Sequence, residues 1–261
     1  MARIILNGRR TEASERATVL EAAVQAGVEI PTFCHHRALG ALGACRLCIV
    51  EVEGPALPGT VLPACTLPVS EGLIVETDTE RLRTYRRTIV ELLVASLPHT
   101  EALARLALRF GVTASPFTNG RPDGCALCGL CVRACRDRIG AGALALQADA
   151  SRLRSVAERV VLDPAACVGC ATCAVLCPVG AIAVEDRGLE REISLWGVVA
   201  ARHELVPCPA CGRPHATRRF RELVRSRLDE DQRRAMADLC PECAREQRAG
   251  ALSGTALALR D

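Results

Sequence analysis

Sixteen cysteines dominate the chemistry that this chain could perform, because thiolates are strong ligands for zinc and iron. They fall into four groups of four, with none left over. The groups are Cys34, Cys45, Cys48 and Cys65; Cys125, Cys128, Cys131 and Cys135; Cys167, Cys170, Cys173 and Cys177; and Cys208, Cys211, Cys240 and Cys243. Close Cys-x-x-Cys spacing recurs in all of them, and it favours metal binding over bridges between distant segments.

A secreted disulfide scaffold is the competing interpretation, and it requires an oxidising compartment. The opening residues MARIILNGRR contain no apolar stretch of the kind found in a signal peptide. No run of about eighteen uncharged apolar residues occurs, so we expect no membrane span. The sequence therefore predicts a cytoplasmic protein with reduced, metal-bound cysteines.

Local patterns predict the elements that position the first group. The apolar segment ARIILN ends at Asn7-Gly8, a strong β-hairpin signal. Thr18 and Glu21 stand at capping-box spacing before VLEAAVQAG, which predicts a helix that ends at Gly27. IVEVEG and LIVET predict further strands, with loops between them.

The first group spaces its cysteines by ten, two and sixteen residues. Cys45 and Cys48 could hold one iron from a single turn, whereas Cys34 and Cys65 would come from loops that fold back. A structural zinc site is the alternative. GACRLCIVEVEG and PACTLPVSEGLIVET resemble the 2Fe-2S domain that opens the large iron-sulfur subunit of respiratory complex I and the diaphorase iron-sulfur subunit of NAD-linked hydrogenases. The resemblance implies a β-grasp ferredoxin fold in which the neighbouring histidines, His35 and His36, are not ligands.

The second and third groups repeat the pattern CxxCxxCxxxC. In ferredoxins with this spacing, three cysteines bind one 4Fe-4S cluster and the fourth reaches the other cluster. We therefore predict one cluster on Cys125, Cys128, Cys131 and Cys177, and the other on Cys167, Cys170, Cys173 and Cys135. Structural zinc or disulfides are the alternatives. CALCGLCVRACRDRIGAGAL is again similar to the complex I and diaphorase subunits, and DPAACVGCATCAVLCPVGAIAV resembles one half of a bacterial ferredoxin.

Small residues inside the repeat leave room for backbone N–H groups to approach the cluster sulfurs. These residues are Ala126, Gly129, Gly169 and Ala171. The formal charge of +3 treats every thiol as neutral. Three clusters with about two negative charges each would bring it to roughly −3, so charge gives no support to nucleic-acid binding.

The fourth group consists of CPACG at Cys208 and CPEC at Cys240, with 28 residues between the two pairs. Two Cys-x-x-Cys pairs suit a tetrahedral zinc ion, and a mononuclear iron or a further cluster are the alternatives. Four thiolates complete the tetrahedral coordination of such a zinc ion. His203 and His215 are therefore expected at the surface.

Together these patterns predict an α+β chain of four parts. They are a β-grasp 2Fe-2S domain at 1–79, a helical connector at 80–118, a 2×4Fe-4S bacterial ferredoxin-like domain at 119–190 and a helical, four-cysteine, zinc-ribbon-like unit at 191–261. The expected cofactors are one 2Fe-2S cluster, two 4Fe-4S clusters and one zinc ion.

A row of one-electron centres without a substrate site conducts electrons, and no Gly-x-Gly-x-x-Gly segment is present for a flavin or nicotinamide. The resemblance over residues 1–190 implies an electron-transfer subunit between a flavoprotein that uses NAD(P)H and a catalytic subunit such as a hydrogenase or formate dehydrogenase. A free multi-cluster ferredoxin is the alternative. A zinc-dependent regulator would leave the cysteine repeat unexplained.

In the relatives just named, a segment after the 2Fe-2S domain supplies one histidine and three cysteines to another 4Fe-4S cluster. Here ERLRTYRRTIVELLVASLPH leads directly into EALARLALRFGVTASPF, with no cysteine between Cys65 and Cys125. His99 stands in the place of the family histidine, and one imidazole cannot hold a cubane. We predict that this cluster is deleted, so that the 2Fe-2S centre either approaches the ferredoxin module directly or lies on a side branch.

Overall fold

The structure is a computed structural model that describes residues 1–54, 59–97, 100–117, 124–148, 157–235 and 238–258. The described chain combines a five-stranded mixed sheet, a four-stranded antiparallel sheet and a two-stranded sheet with short helices. Within the described residues, no helix is both long and apolar enough to cross a membrane.

The N-terminal part forms the five-stranded sheet. Its elements are β1 (Ala2–Leu6), β2 (Arg9–Ala13), α1 (Val19–Gln25), β3 (Ile49–Glu53), β4 (Thr60–Pro63) and β5 (Ile74–Glu76). The strand order is β2-β1-β5-β3-β4, with β1 and β5 parallel and the other pairs antiparallel. The predicted hairpin is confirmed. The predicted loop between β3 and β5 is wrong in part, because β4 lies within it.

Local chemistry explains the turn and the helix. Asn7 (φ 49°) and Gly8 (φ 75°) are both left-handed, as a two-residue hairpin loop of this kind requires. Thr18 and Glu21 form the predicted capping box at the start of α1. After α1, Gly27 adopts φ 72° and ends the helix as predicted.

The core of this part lies between α1 and the sheet. Val19, Val50, Val52 and Val75 are completely buried there, and burying each such side chain contributes about 1.5–3 kcal/mol. Two cysteines of the first group, Cys48 and Cys65, belong to the same apolar cluster. The core therefore fixes the backbone from which these thiols project.

The connector consists of α2 (Glu80–Ser96) and α3 (Glu101–Arg109). Thr79 and Thr100 cap their N-termini with side-chain hydrogen bonds. The segment expected to be helical thus contains two helices, and Pro98 and His99, which stand between them in the sequence, lie outside the described residues. Arg86 of α2 is buried, and its guanidinium donates to the carbonyl oxygens of Leu47 (3.2 Å), Ile49 (2.6 Å) and Thr77 (2.8 Å).

The remaining elements surround the other cysteine groups. They are α4 (Leu130–Arg133), a π-helical segment (Ala134–Ile139), β6 (Leu144–Ala148), β7 (Ala157–Leu162), α5 (Thr172–Leu176), β8 (Ile182–Arg187), β9 (Glu190–Leu195), β10 (Val198–Pro207), β11 (Pro214–Thr217), α6 (Arg218–Ser226), α7 (Glu230–Ala235) and α8 (Pro241–Ala258). Strands β6 and β7 pair with each other, and the four-stranded sheet runs β11-β10-β9-β8. This sheet includes residues on both sides of the predicted domain boundary at 190/191. The boundary itself stays a prediction.

Candidate metal centres

The first cysteine group lies at the edge of the five-stranded sheet. Cys34, Cys48 and Cys65 are buried and Cys45 is half-buried. The thiols of Cys34 and Cys45 share one hydrogen bond, and those of Cys48 and Cys65 share another. Each pair joins two separate chain segments, whereas the sequence spacing would also allow Cys45 and Cys48 to hold one iron, so the sharing of irons stays a prediction.

The protonation of these thiols is set by their pairing. The thiol of Cys45, together with backbone N–H groups, lowers the pKa of Cys34 to about 5. The thiol of Cys48 lowers the pKa of Cys65 to about 7. The same hydrogen bonds, with burial, raise the pKa of the partner thiols Cys45 and Cys48. Each pair therefore yields one thiolate readily and a second when a metal cation replaces the proton, as iron ligation requires.

Two cavities lie within the CxxCxxCxxxC repeat, and cysteines from both halves border each of them. The first cavity is lined by Cys125, Cys128, Cys131 and Cys177, and the second by Cys135, Cys167, Cys170 and Cys173. These are the same crossed sets that the spacing predicts, while cluster binding by them stays a prediction. Most other lining side chains are small or apolar, so each cavity fits a compact sulfur-rich cofactor.

The backbone of both halves curls in the same way around these cavities. Leu127 (φ 49°) and Gly129 (φ 68°) are left-handed in the first half, and Gly169 (φ 70°) and Ala171 (φ 66°) occupy the corresponding places in the second. Left-handed residues in such loops turn successive N–H groups inward and form anion-binding concavities. In the first half, the N–H of Leu127 donates to the sulfur of Cys125 at 3.4 Å.

Burial makes these thiols difficult to ionise without a cation. It raises the pKa of Cys128 to about 11 and that of Cys131 and Cys173 to about 12. Neighbouring cysteines raise the pKa of Cys131 and Cys173 further. Iron ions would supply the positive charge that lets four thiolates share such a cavity, so the donor set fits a 4Fe-4S cluster.

The fourth group converges on one point. Cys208 follows β10, and the turn to β11 is closed by its N–H, which donates to the carbonyl of Arg213 at 2.9 Å. Cys240 and Cys243 come from the start of α8. All four sulfurs lie within 4.8 Å of one another, and those of Cys211 and Cys240 are 3.8 Å apart. Thiolates about 2.3 Å from a tetrahedral zinc ion stand about 3.8 Å apart, so the spacing fits one ion.

Hydrogen bonds prepare this group for ligation. The N–H of Cys240 lies 3.3 Å from the sulfur of Cys208 and is the main cause that lowers the pKa of Cys208 to about 6. The guanidinium of Arg213 lowers the pKa of Cys211. The same guanidinium pairs with Glu242, which ties the hairpin turn to the start of α8.

The loop around Cys34 contacts the loop of the second cysteine group directly. The first is predicted to bind the 2Fe-2S cluster and is named the 2Fe-2S loop, and the second is predicted to bind one 4Fe-4S cluster and is named the first cubane loop. Cys34 and Cys128 belong to one apolar cluster, whose other buried members are Leu39, Leu130 and Ala134. Arg133 of α4 donates to the carbonyl oxygens of Cys34, at 2.7 Å, and Gly40. Arg133 was not predicted as a functional residue, because its only signal in the sequence is its place between Cys131 and Cys135.

Residues of the C-terminal part contact the loop of the third cysteine group, which is predicted to bind the other 4Fe-4S cluster and is named the second cubane loop. The Thr217 hydroxyl donates to the carbonyl of Val168, and Arg191 donates to that of Gly169 at 3.1 Å. His203 packs against Gly169 and is only 5% exposed. The expectation of a surface position for His203 is therefore wrong, because this contact covers its ring. His215 is half-buried rather than fully exposed.

Two protein families match this chain. Residues 1–80 match the family described as 2Fe-2S iron-sulfur cluster binding domain, and residues 124–181 match the family described as 4Fe-4S dicluster domain. These ranges contain the first group and the second and third groups of cysteines.

Several curated proteins are similar. The chain is 30% identical over 232 residues to NADP-reducing hydrogenase subunit HndD of Solidesulfovibrio fructosivorans, covering 77% of this chain and 38% of that protein. It is 40% identical over 98 residues to a subunit of the NADH-quinone oxidoreductase of Rickettsia prowazekii, covering 38% of this chain and 14% of that protein. The chain thus spans well under half the length of these curated relatives.

A solved structure is similar over nearly the whole fold. It is a chain in the crystal structure of NAD+-reducing [NiFe]-hydrogenase in the H2-reduced state. The TM-score is 0.61 and the sequence identity is 29%, and the match covers 89% of this chain and 98% of that chain. The resemblance to subunits of NAD-linked hydrogenases and of NADH-quinone oxidoreductases, expected from the cysteine motifs, is confirmed.

Proposed function

We propose that this iron-sulfur protein, which carries a 2Fe-2S domain and a 4Fe-4S dicluster domain, conducts electrons inside a multi-subunit oxidoreductase. Its partners would be a flavoprotein that uses NAD(P)H and a catalytic subunit such as a hydrogenase or formate dehydrogenase, in the cytoplasm. The chain would have no substrate site of its own. The observation that carries the proposal is the contact between successive cysteine-lined sites. Cys34 and Cys128 belong to one apolar cluster of side chains, and Cys131 and Cys173 belong to another.

The ligand sets follow from the grouping of the thiols. Cys34, Cys45, Cys48 and Cys65 would hold the 2Fe-2S cluster, with one iron on each hydrogen-bonded pair. The two cavities would hold the cubanes on their crossed sets, Cys125, Cys128, Cys131 and Cys177, and Cys135, Cys167, Cys170 and Cys173. Cys208, Cys211, Cys240 and Cys243 would hold one zinc ion.

The domain organisation is part of the same proposal. The sheet order β2-β1-β5-β3-β4 with α1 on one face supports a β-grasp domain at 1–79, followed by the helical connector at 80–118. The ferredoxin-like domain would occupy 119–190. The hairpin turn of the fourth group, between β10 and β11, supports a zinc-ribbon-like unit at 191–261.

The clusters, when bound, accept and donate single electrons. The chain's own residues hold two of the ligand loops in contact through an apolar cluster. Leu39 and Leu130 are buried in this cluster together with Cys34 and Cys128. This apolar contact supports direct transfer from the 2Fe-2S centre to the first cubane rather than a side branch. Deletion of the family's additional cluster is consistent with that route, although His99 lies outside the described residues.

The names of the relatives favour a subunit over a free ferredoxin, because they include a hydrogenase subunit and a quinone oxidoreductase subunit. The test is affinity purification of the tagged chain from its native host under anaerobic conditions. We expect a flavoprotein and a catalytic subunit in stoichiometric amounts, with clusters that NADH or NADPH bleaches in the complex. The isolated chain should not oxidise NADH with a dye acceptor. Purification of a fully loaded chain without partners would contradict the proposal.

A further inference from the structure

We propose that Arg133 couples the 2Fe-2S centre to the first cubane, by holding their ligand loops together and by placing one positive charge between them. The inference rests on the proposed function, since it assumes that both clusters are bound. It concerns a residue that binds no cluster itself. Arg133 is thus a positioning residue for electron transfer.

The position of Arg133 joins two distant parts of the chain. Its backbone belongs to α4, two residues after Cys131 and two before Cys135. Its side chain reaches 99 residues back along the sequence, where Nη2 donates to the carbonyl oxygen of Cys34 at 2.7 Å. Nη1 donates to the carbonyl oxygen of Gly40, on the same loop. One guanidinium thereby fixes the 2Fe-2S loop against the helix that contains Cys131.

The guanidinium is deeply buried, and no carboxylate lies within ion-pair distance of it in the described chain. Arg133 is 6% exposed, and Asp137 interacts with its charge only at longer range. Its Nε atom makes no hydrogen bond among the described residues. Burying an arginine without a close countercharge is costly, because carbonyl dipoles replace only part of its hydration. Two anionic clusters on either side would supply the missing negative charge.

That placement has an electrostatic consequence for electron transfer. Each reduction adds one negative charge to a cluster, and a nearby buried cation stabilises the reduced state more than the oxidised state. Net charge around a cluster is one of the determinants of its potential. Arg133 should therefore raise the midpoint potentials of the 2Fe-2S centre and the first cubane. The second cubane, on the far side, should respond less.

The geometry also explains why an arginine is used. The two Nη atoms of its planar fork bond different carbonyls of one loop, whereas a lysine ammonium is a single point charge on a flexible stem. Arg133→Lys keeps the positive charge but removes the guanidinium that bonds both carbonyl oxygens. Arg133→Met removes both, with a side chain that still fills apolar space. The two substitutions therefore separate the electrostatic effect from the positioning effect.

The test uses the full chain with its clusters loaded anaerobically, and iron and sulfide are measured first. Redox titration followed by electron paramagnetic resonance gives the midpoint potential of each centre and the spin coupling between the reduced 2Fe-2S centre and the first cubane. We expect Arg133→Met to lower both potentials and to weaken the coupling. Arg133→Lys should keep the potentials near wild type and still weaken the coupling. The control is Arg136→Gln, which removes an exposed arginine from the neighbouring turn and should change neither quantity.

Wild-type protein that binds no iron would defeat the proposed function itself. Loaded Arg133→Met with wild-type potentials and coupling would overturn the role of Arg133 alone. If Arg133→Met does not load, Arg133→Lys decides, because a wild-type spin coupling in that variant contradicts the positioning role. An equal potential shift in Arg136→Gln would also overturn the inference, since it would make the effect one of general surface charge.

Discussion

The hydroxyl of Thr217 donates a hydrogen bond to the carbonyl oxygen of Val168, the residue that follows Cys167. The same hydroxyl accepts from the N–H of Phe220 at 3.2 Å and so caps α6. Thr217 is completely buried. One side chain thus joins the unit that carries the fourth cysteine group to the backbone of the second cubane loop.

Thr217→Val should therefore destabilise the chain and loosen the second cubane. Losing the helix cap costs about 0.5–2 kcal/mol, and leaving the Val168 carbonyl unpaired adds about 1–3 kcal/mol. We expect a lower unfolding midpoint and faster loss of one cubane to an iron chelator. Thr100→Val is the matched control, because Thr100 caps α3 and, within the described chain, its hydroxyl does not bond a cubane loop. Equal cluster loss in both variants would contradict this role of Thr217.

The metal content distinguishes the alternatives for the fourth group. We predict about ten irons per chain, from one 2Fe-2S cluster and two 4Fe-4S clusters, and about one zinc ion on the fourth group. Elemental analysis of anaerobically purified protein measures both, and Cys211→Ser should remove the zinc without changing the iron. About fourteen irons with no zinc would instead mean that the fourth group holds another cubane. About eleven irons without zinc would indicate a mononuclear iron.

Features with local causes were predictable from the sequence. The Asn7-Gly8 hairpin and the Thr18 capping box depend on backbone conformations and N–H groups within a few residues. The crossed cysteine sets were expected from the ferredoxin pattern, and the same sets line the two cavities, while cluster binding by them stays a prediction. Strand β4 was not predicted, because its segment is rich in proline and glycine. It forms at the sheet edge through pairing with β3, and Pro63 is tolerated there.

The contacts between parts of the chain could not be predicted in the same way. Arg133 and His203 would both be assigned to the surface on residue type, since charged and polar side chains are mostly exposed. Each is buried because a segment distant in sequence covers it: the Cys34 loop for Arg133, and the Gly169 loop for His203. Such burial depends on tertiary packing, which neither spacing nor periodicity reveals.

If each cubane takes one cysteine from the other half of the repeat, replacing that single cysteine should damage the cubane of the other half. Cys135→Ser should damage the cubane whose other ligands are Cys167, Cys170 and Cys173, because all four line the second cavity. Cys177→Ser, the matched variant, should damage the cubane of the first cavity. Resonance signals of the two reduced cubanes, measured for each variant, identify which one changes. If Cys135→Ser altered the cubane that contacts the 2Fe-2S centre, the pairing would follow the sequence halves instead.

Gly169→Ala should be far more harmful than Gly180→Ala, although both positions are left-handed. At Gly169 (φ 70°) an added Cβ would lie 2.6 Å from a methyl group of Thr217 and 2.8 Å from the ring of His203. At Gly180 (φ 65°) nothing lies within 4 Å of that position. Both variants incur roughly 1–2 kcal/mol of backbone strain, and overpacking adds about 1–3 kcal/mol at Gly169 alone.

The clash at Gly169 involves the two residues that close the C-terminal unit over the second cubane loop. Relieving it requires the loop and β10–β11 to separate, so Gly169→Ala should lose the second cubane and retain the 2Fe-2S centre. Denaturant unfolding and cluster-specific spectra measure the two effects on the same samples. Adding Thr217→Ser to Gly169→Ala removes the nearest methyl group but keeps the hydroxyl, and should recover part of the lost stability. Equal unfolding free energies for the Gly169 and Gly180 variants would mean that this contact does not restrict the loop.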